Sequence, residues 1–173
     1  MPPCFRIHRP GTPGQYRLAD LFPDIGRYEI LAELFTDPVD RDRILAEIPV
    51  FLTNQGHSIF VSNDDGSITI ALSHLRDSPD EVLYLDIIHE LCHVKQHREG
   101  RELYDRSKSY VDRETEIDAY RFTVREARRI GLTDPAISDY LCVPWITEEE
   151  HRRLCRRLGV EESPPCSPQN QPD

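Results

Sequence analysis

The longest stretch of helical hydrophobic spacing in the chain lies between residues 79 and 99. Apolar side chains recur there at intervals of three and four, and no residue interrupts a helix. Ser78 is a favourable N-cap, Pro79 suits the first helical position, and Glu81 stands where a capping box has a carboxylate. Gly100 supplies a C-terminal stop. The pattern therefore predicts a helix that is buried over much of its circumference.

A second helical pattern runs from Glu114 to Gly131 and is strongly two-sided. Charged residues gather on one side, and the other side is apolar, with Ile117, Ala119, Tyr120, Val124, Ala127 and Ile130. Glu116 falls inside the apolar arc, where we expect it to be the only charged residue. A carboxylate on a buried face requires a strong partner. A metal ion is one such partner, and a buried arginine or a backbone N–H is the alternative.

The remaining patterns predict a small sheet and several shorter helices. Residues 50–52 form a short apolar run, and residues 58–62 and 67–72 are rich in β-branched side chains. The Asn-Asp-Asp-Gly sequence between the last two runs is a turn signal, so they are predicted to form a hairpin. Shorter helices are predicted over residues 25–35, 38–48, 135–141 and 148–158. Together these elements indicate an α+β fold.

Composition places the chain among soluble globular proteins. Of its 173 residues, 38% are hydrophobic and 30% are charged, which is ordinary for a chain that buries one core. Prolines are concentrated at both ends, so residues 1–14 and 163–173 are predicted to be flexible tails around a single domain over residues 15–162. The net charge of -10 disfavours a nonspecific nucleic-acid binder. No apolar run is long enough for a membrane span, so no membrane partner is expected.

Cysteine usage and the N-terminal sequence bear on the cellular compartment. The five cysteines show no paired spacing and their number is odd, which favours reduced thiols. The first residues lack the apolar region of a signal peptide. A cytoplasmic protein is therefore expected. Each predicted tail carries one cysteine, Cys4 or Cys166, whose thiolate could block the open position of a metal site and so confer latency, although an ordinary tail cysteine is the plainer interpretation.

The sequence His-Glu-Leu-Cys-His at residues 89–93 brings chemistry into the first predicted helix. Residues four apart lie one turn apart on the same helical face, so His89 and His93 can present two imidazole nitrogens to one metal ion. Glu90 lies beside this pair, where a general base is needed for hydrolysis. A third ligand must come from elsewhere, and Glu116 is the best candidate. Two ordinary core histidines with a chance glutamate between them are the alternative.

A helix with HExxH followed by a second helix that carries a glutamate ligand resembles the gluzincin class of zinc metallopeptidases. The nearest subgroup is the ImmA/IrrE family, whose members typically have HELGHxxxH and a later ExEANxF motif. This chain has HELCHVKQH from residue 89 and EIDAYRF from residue 116. Cys92 stands where the family has glycine. Tyr120 stands where it has asparagine or aspartate, which removes a side chain that can orient a ligand.

The resemblance implies a fold, a cofactor and a set of site residues. It implies a zincin-like fold in which a small sheet packs on the HExxH helix and on the second helix. It implies that His89, His93 and Glu116 bind Zn²⁺ and that Glu90 is the catalytic base. Further candidates, for a second layer of contacts around the metal or for stabilising the oxyanion, are His97, Tyr120, Tyr110 and Tyr104. Packing or solvent contact is the alternative for each of these four.

The expected activity is that of a zinc metalloendopeptidase, a hydrolase acting on a protein or peptide substrate in the cytoplasm. Family members that cleave repressors imply a regulatory substrate. The alternative is a non-catalytic zincin-like module with a structural metal or a protein-binding cleft. If Glu116 is not the third ligand, His97, His74 and the cysteines are the remaining choices. His74 follows the last predicted strand, where a surface loop residue is the plainer interpretation.

Overall fold

The computed structural model describes residues 5–162, and over these residues the chain has the predicted α+β architecture. The described residues form eight α-helices and one mixed sheet of four strands. The described residues fall into two compact units, one ending at Leu103 and the other beginning at Tyr104. Within the described part of the chain, no helix is both long enough and apolar enough to cross a membrane.

The sheet belongs to the first unit, and its strands are arranged in the order β1-β2-β4-β3. The strands are β1 (Gly14–Arg17), β2 (Pro49–Thr53), β3 (Ile59–Val61) and β4 (Ile68–Ala71). β2 and β4 are parallel, and the other two pairs are antiparallel. The predicted hairpin is confirmed as β3 and β4. Its turn depends on Gly66, whose φ of +73° lies in the left-handed region that favours glycine.

The segment before residue 15 differs from the tail that its prolines predict. Gly14 begins β1, which pairs with β2, and Phe5 is buried with its ring stacked on Tyr84 at a centroid distance of 4.1 Å. The Arg9 guanidinium donates hydrogen bonds to the backbone carbonyls of Leu75, Arg76 and Ser78. The sequence Gly-Gln-Tyr-Arg has no apolar alternation, so hydrophobic spacing did not reveal β1. Cys4, Cys166 and the C-terminal tail lie outside the described residues.

Five α-helices complete the first unit. They are α1 (Leu18–Leu21), α2 (Glu29–Leu34), α3 (Pro38–Glu47), α4 (Leu72–Asp77) and α5 (Asp80–Arg98). The helix predicted over residues 25–35 is divided into a 3-10 turn, Ile25–Arg27, and α2. The prediction for α3 is confirmed, and its cap is formed by the Asp37 carboxylate, which accepts the Asp40 N–H at 2.8 Å. α4 was not predicted.

α5 is the longest helix and is buried on most of its surface, as predicted. The predicted serine cap is wrong, because α5 has Pro79 as its N-cap residue and Ser78 Oγ lies 3.2 Å from His74 Nδ1 instead. The end at Gly100 is confirmed: its φ is +76°, and the Arg101 N–H donates to the Gln96 carbonyl. α5 contacts β3, and the core combines its apolar residues with the inner face of the sheet: Val50, Leu52, Val61, Ile68 and Ile70.

The second unit is helical. It contains a 3-10 turn, Tyr110–Asp112, followed by α6 (Glu114–Arg129), α7 (Asp134–Leu141) and α8 (Glu148–Leu158). α6 ends before Gly131, whose φ is +95°, and the Leu132 N–H donates to the Ala127 carbonyl. α8 begins with a capping box, in which the Thr147 hydroxyl accepts the Glu150 N–H and the Glu150 carboxylate accepts the Thr147 N–H. The three predicted helices of this part of the chain are therefore confirmed.

The cysteines differ in state among the described residues. Cys92 on α5 and Cys155 on α8 are free and buried, whereas Cys142 is disulfide-bonded. The expectation of reduced thiols is therefore wrong for Cys142. Burial raises the pKa of the Cys155 thiol, which makes it a poor nucleophile at neutral pH.

Candidate metal centre

The two histidines of the HExxH motif converge on one side of α5. Their Nε2 atoms are 3.0 Å apart, and their rings meet edge to face with centroids 4.7 Å apart. His89 is 6% exposed, His93 3% and Glu90 6%, so this part of the helix is removed from bulk water. The four-residue spacing produces this convergence, because one helical turn separates the two Cα atoms.

The other nitrogen of His93 has a partner on the same helix. Its Nδ1 atom lies 2.8 Å from Oε1 of Gln96, three residues further along α5. Gln96 is itself buried, with 4% of its surface exposed. Gln96 lies outside the HExxH motif, but its spacing of three residues from His93 places the two side chains at neighbouring positions on one helical face.

Glu116 lies in the first turn of α6 and is only 2% exposed. Glu114 is exposed and Asp118 is half-buried, in agreement with the predicted orientation of the helix. The expectation that Glu116 is the only charged residue on the buried side is wrong, because Glu126 is also fully buried. Glu126 forms a two-pronged ion pair with Arg129 on the next turn, with both N···O distances at 2.6 Å.

The three predicted ligands form one group of potential donors. One ligand atom from each of His89, His93 and Glu116 lies within 4.8 Å of the others, and all three residues are buried. Ligand atoms on a tetrahedral zinc ion are roughly 3.4 Å apart, as follows from metal–ligand bonds of about 2.1 Å. The 3.0 Å between the histidine nitrogens is close to that value. Two buried imidazoles and a carboxylate are therefore a donor set that could hold a metal ion.

His97 is held at the turn between β3 and β4. Its Nε2 lies 3.2 Å from the Asn63 carbonyl oxygen. The ring also lies close to Gly66, where an added Cβ would be 2.7 Å from His97 Nδ1. His97 is not a member of the metal-binding group found among the described residues. Its contacts link the end of α5 to the hairpin.

The three candidate tyrosines have different surroundings. The hydroxyl oxygens of Tyr110 and Tyr120 are 2.8 Å apart, and the Tyr110 ring meets Trp145 edge to face at 5.7 Å. Tyr120 is buried on α6. Tyr104 is half-buried and belongs to the segment that follows α5 along the chain and precedes the 3-10 turn. A role of any of these hydroxyls in stabilising an oxyanion stays a prediction.

His74 lies on α4 rather than in a loop. Its Nε2 is 2.7 Å from Asp86 Oδ2, and Asp86 precedes Glu90 by one turn of α5. With the contact to Ser78, both ring nitrogens of His74 have polar partners. His74 is not in the group that could hold a metal among the described residues. The His74–Asp86 pair instead connects α4 to the helix that carries the motif.

Charged residues of α8 fix the turn that precedes α6. Arg153 and Arg157 each form an ion pair with Asp112, at 2.9 and 3.1 Å. The Ser109 hydroxyl, together with these two guanidinium groups, lowers the pKa of Asp112. The arginines of α8 thus bind a neighbouring acidic turn within their own unit.

No protein-family model, no curated protein and no solved structure matches this chain. A function for the chain therefore has to follow from the chemistry of its own side chains, and the buried group on α5 and α6 is the place where that chemistry is concentrated.

Proposed function

We propose that this protein is a zinc metalloendopeptidase that hydrolyses peptide bonds in a protein substrate. The observation that carries the proposal is the buried group of His89, His93 and Glu116, whose ligand atoms lie within 4.8 Å of one another, with Glu90 adjacent to His89 on α5. Neutral imidazoles and a carboxylate are ordinary zinc ligands, and three protein ligands leave one coordination position for water or substrate.

Each residue has a distinct role in this chemistry. His89, His93 and Glu116 hold the ion, which, when bound, polarises the scissile carbonyl and lowers the pKa of water. Glu90 takes the proton from the attacking water and delivers it to the leaving amine as the C–N bond breaks. The water oxygen becomes part of the new carboxylate. Glu90 is 6% exposed, so its proton transfers take place where little bulk water competes.

The sequence resemblance supports the same assignment at the level of the fold. A sheet precedes α5, the HELCH sequence lies within α5, and Glu116 lies in the first turn of a later helix, α6. This is the order of elements expected of a gluzincin of the ImmA/IrrE type. We therefore infer a zincin-like enzyme with a cytoplasmic, regulatory protein as its substrate.

The alternative is a zincin-like module that uses the metal only for stability or binds a partner in its cleft. Both functions need the three ligands, but only catalysis needs a base beside them. The presence of a buried carboxylate at Glu90 favours the enzyme, because burying a carboxylate without a use for it lowers stability.

The deciding experiment compares the wild-type protein with Glu90→Gln, which keeps the shape of the side chain and removes the base. Both proteins are loaded with zinc and incubated with a library of peptides derived from cellular proteins. The new N-termini produced by cleavage are quantified by mass spectrometry. Metal content is measured in parallel. Glu81→Gln is the matched control, since Glu81 is an exposed carboxylate in the first turn of the same helix.

We expect about one zinc per chain in all three proteins. We expect cleavage by the wild type and by Glu81→Gln, and at least a 100-fold lower rate for Glu90→Gln, in line with loss of a general base. Equal cleavage by Glu90→Gln would remove Glu90 from the mechanism. Zinc binding without cleavage by any of the three would favour the non-catalytic module.

A further inference from the structure

We propose that Gln96 is a positioning residue for the metal centre, which fixes the ring of His93 and selects the tautomer that can bind an ion. The expected effect of Gln96 on zinc affinity rests on the proposed function. It starts from one contact that the HExxH motif does not include, the 2.8 Å approach of His93 Nδ1 to Gln96 Oε1.

A neutral imidazole carries one N–H, on either Nδ1 or Nε2. The amide oxygen of Gln96 is only an acceptor, so its contact with Nδ1 is favourable when Nδ1 carries the hydrogen. Nε2 of His93 then presents a lone pair, which is the form that a metal ligand requires. The Gln96 amide therefore supplies the second contact that metal-binding histidines ordinarily have.

Burial makes this selection strong. His93 and Gln96 are 3% and 4% exposed, so exchange of their hydrogen bond for one to water is restricted. If the hydrogen were on Nε2, two lone pairs would face each other at 2.8 Å in a medium of low dielectric constant. Rotation of the amide by 180° would relieve this repulsion but would select the tautomer whose Nε2 cannot bind a metal.

The position of the second histidine agrees with a hydrogen on Nδ1. His89 Nε2 lies 3.0 Å from His93 Nε2, which is hydrogen-bond distance. A lone pair on His93 Nε2 can accept an N–H from His89 in the metal-free protein. One side chain, three residues beyond the motif, thus favours the tautomer in which His93 Nε2 carries a lone pair.

The proposal predicts that Gln96→Leu, which has a similar volume but no acceptor, weakens zinc binding by about 10- to 100-fold. Gln96→Glu keeps an acceptor oxygen at the same reach, so its zinc affinity should stay within about threefold of the wild type, because the contact with Nδ1 is retained. Lys95→Leu is the control on the same turn, because Lys95 pairs with Glu99 and contributes no ligand to the metal-binding group.

The experiment has two readouts, neither of which depends on activity. Zinc affinity is measured by competition with a chelator. The tautomer of His93 is read in the metal-free protein from the ¹⁵N shifts of its ring nitrogens, which distinguish Nδ1–H from Nε2–H. We expect Nδ1–H in the wild type and in Gln96→Glu, and loss of that preference in Gln96→Leu.

Two results would overturn the proposal: a wild-type His93 with its hydrogen on Nε2, or a Gln96→Leu protein with undiminished zinc affinity. The wild-type and Gln96→Glu spectra decide the matter even if Gln96→Leu does not fold. If the wild type binds no zinc at all, the proposed function fails, and the spectra of the metal-free protein still decide whether Gln96 selects the tautomer.

Discussion

Replacing Glu116 by glutamine tests directly whether the buried carboxylate is the third ligand. The substitution keeps the size of a side chain that is 2% exposed, so it leaves packing on α6 nearly unchanged. It replaces an anionic ligand oxygen by a neutral amide, which binds zinc poorly. The quantity to compare is the increase in stability that zinc causes in the wild type and in Glu116→Gln. The substitution can also change the stability of the metal-free protein, so each protein is compared with its own metal-free form.

The expected magnitude follows from linkage. Zinc at 100 times its dissociation constant stabilises the wild type by about 2.7 kcal/mol. For a chain of 173 residues this corresponds to a rise in Tm of roughly 5–11 °C. Removal of a side chain that hydrogen-bonds to a metal ligand typically lowers metal affinity 10- to 100-fold, so loss of a ligand itself should lower it by at least as much. With a 100-fold loss, the same zinc concentration adds only about 0.4 kcal/mol, or roughly 1–2 °C.

The assay is thermal unfolding in a zinc series, starting from protein stripped with a chelator. Glu126→Gln is the matched control, because Glu126 is a buried carboxylate on the same helix that pairs with Arg129. Glu126→Gln should lower Tm in the absence of zinc and keep the full zinc-dependent rise. A Glu116→Gln protein with the same zinc-dependent rise as the wild type would refute the assignment of Glu116 as a ligand.

Two further predictions concern stability. The pKa of Asp112 is lowered, first by the Ser109 hydroxyl, so its contribution to stability is present at neutral pH and is lost in acid as pH falls through the lowered folded-state pKa. Asp112→Asn should therefore unfold at lower urea concentration than the wild type at pH 7, and a difference that does not shrink as the pH is lowered into the acid range would contradict this. Gly66→Ala should lower the free energy of unfolding by more than the roughly 1 kcal/mol that alanine costs in the left-handed region. The added Cβ would also lie 2.7 Å from His97 Nδ1. Gly56→Ala, at φ +76° with no atom within 4 Å, is its control in denaturant unfolding, and equal losses would exclude the His97 contact as a cause.

The elements that the sequence predicted well are those whose ends are set by nearby residues. Gly100 and Gly131, at the ends of α5 and α6, both have positive φ, and the capping box that begins α8 joins Thr147 to Glu150, three positions away. The hairpin turn at Gly66 is equally local. In each case the groups that form the helix end or the turn lie a few residues apart along the chain. Residue type and spacing are therefore enough to predict where the element begins or ends.

The errors occur where a distant or competing contact decides the structure. Ser78 was expected to cap α5, but its hydroxyl lies against His74, and the alternative partner was not visible without knowing that α4 forms. β1 is a strand because it pairs with β2, more than thirty residues later, and not because of its own hydrophobic pattern. The burial of Phe5 against Tyr84 likewise depends on a contact across nearly eighty residues.

The candidate site shows how far burial alone can identify a ligand. Glu116 was selected as a charged residue on an apolar helical face, yet Glu126 meets the same criterion and is not in the metal-binding group. Arg129, three residues after Glu126 in α6, forms a two-pronged ion pair with it, which accounts for the burial of that carboxylate without a metal. A buried helical carboxylate is therefore a sound metal-ligand candidate only after an arginine on the adjacent turn has been excluded.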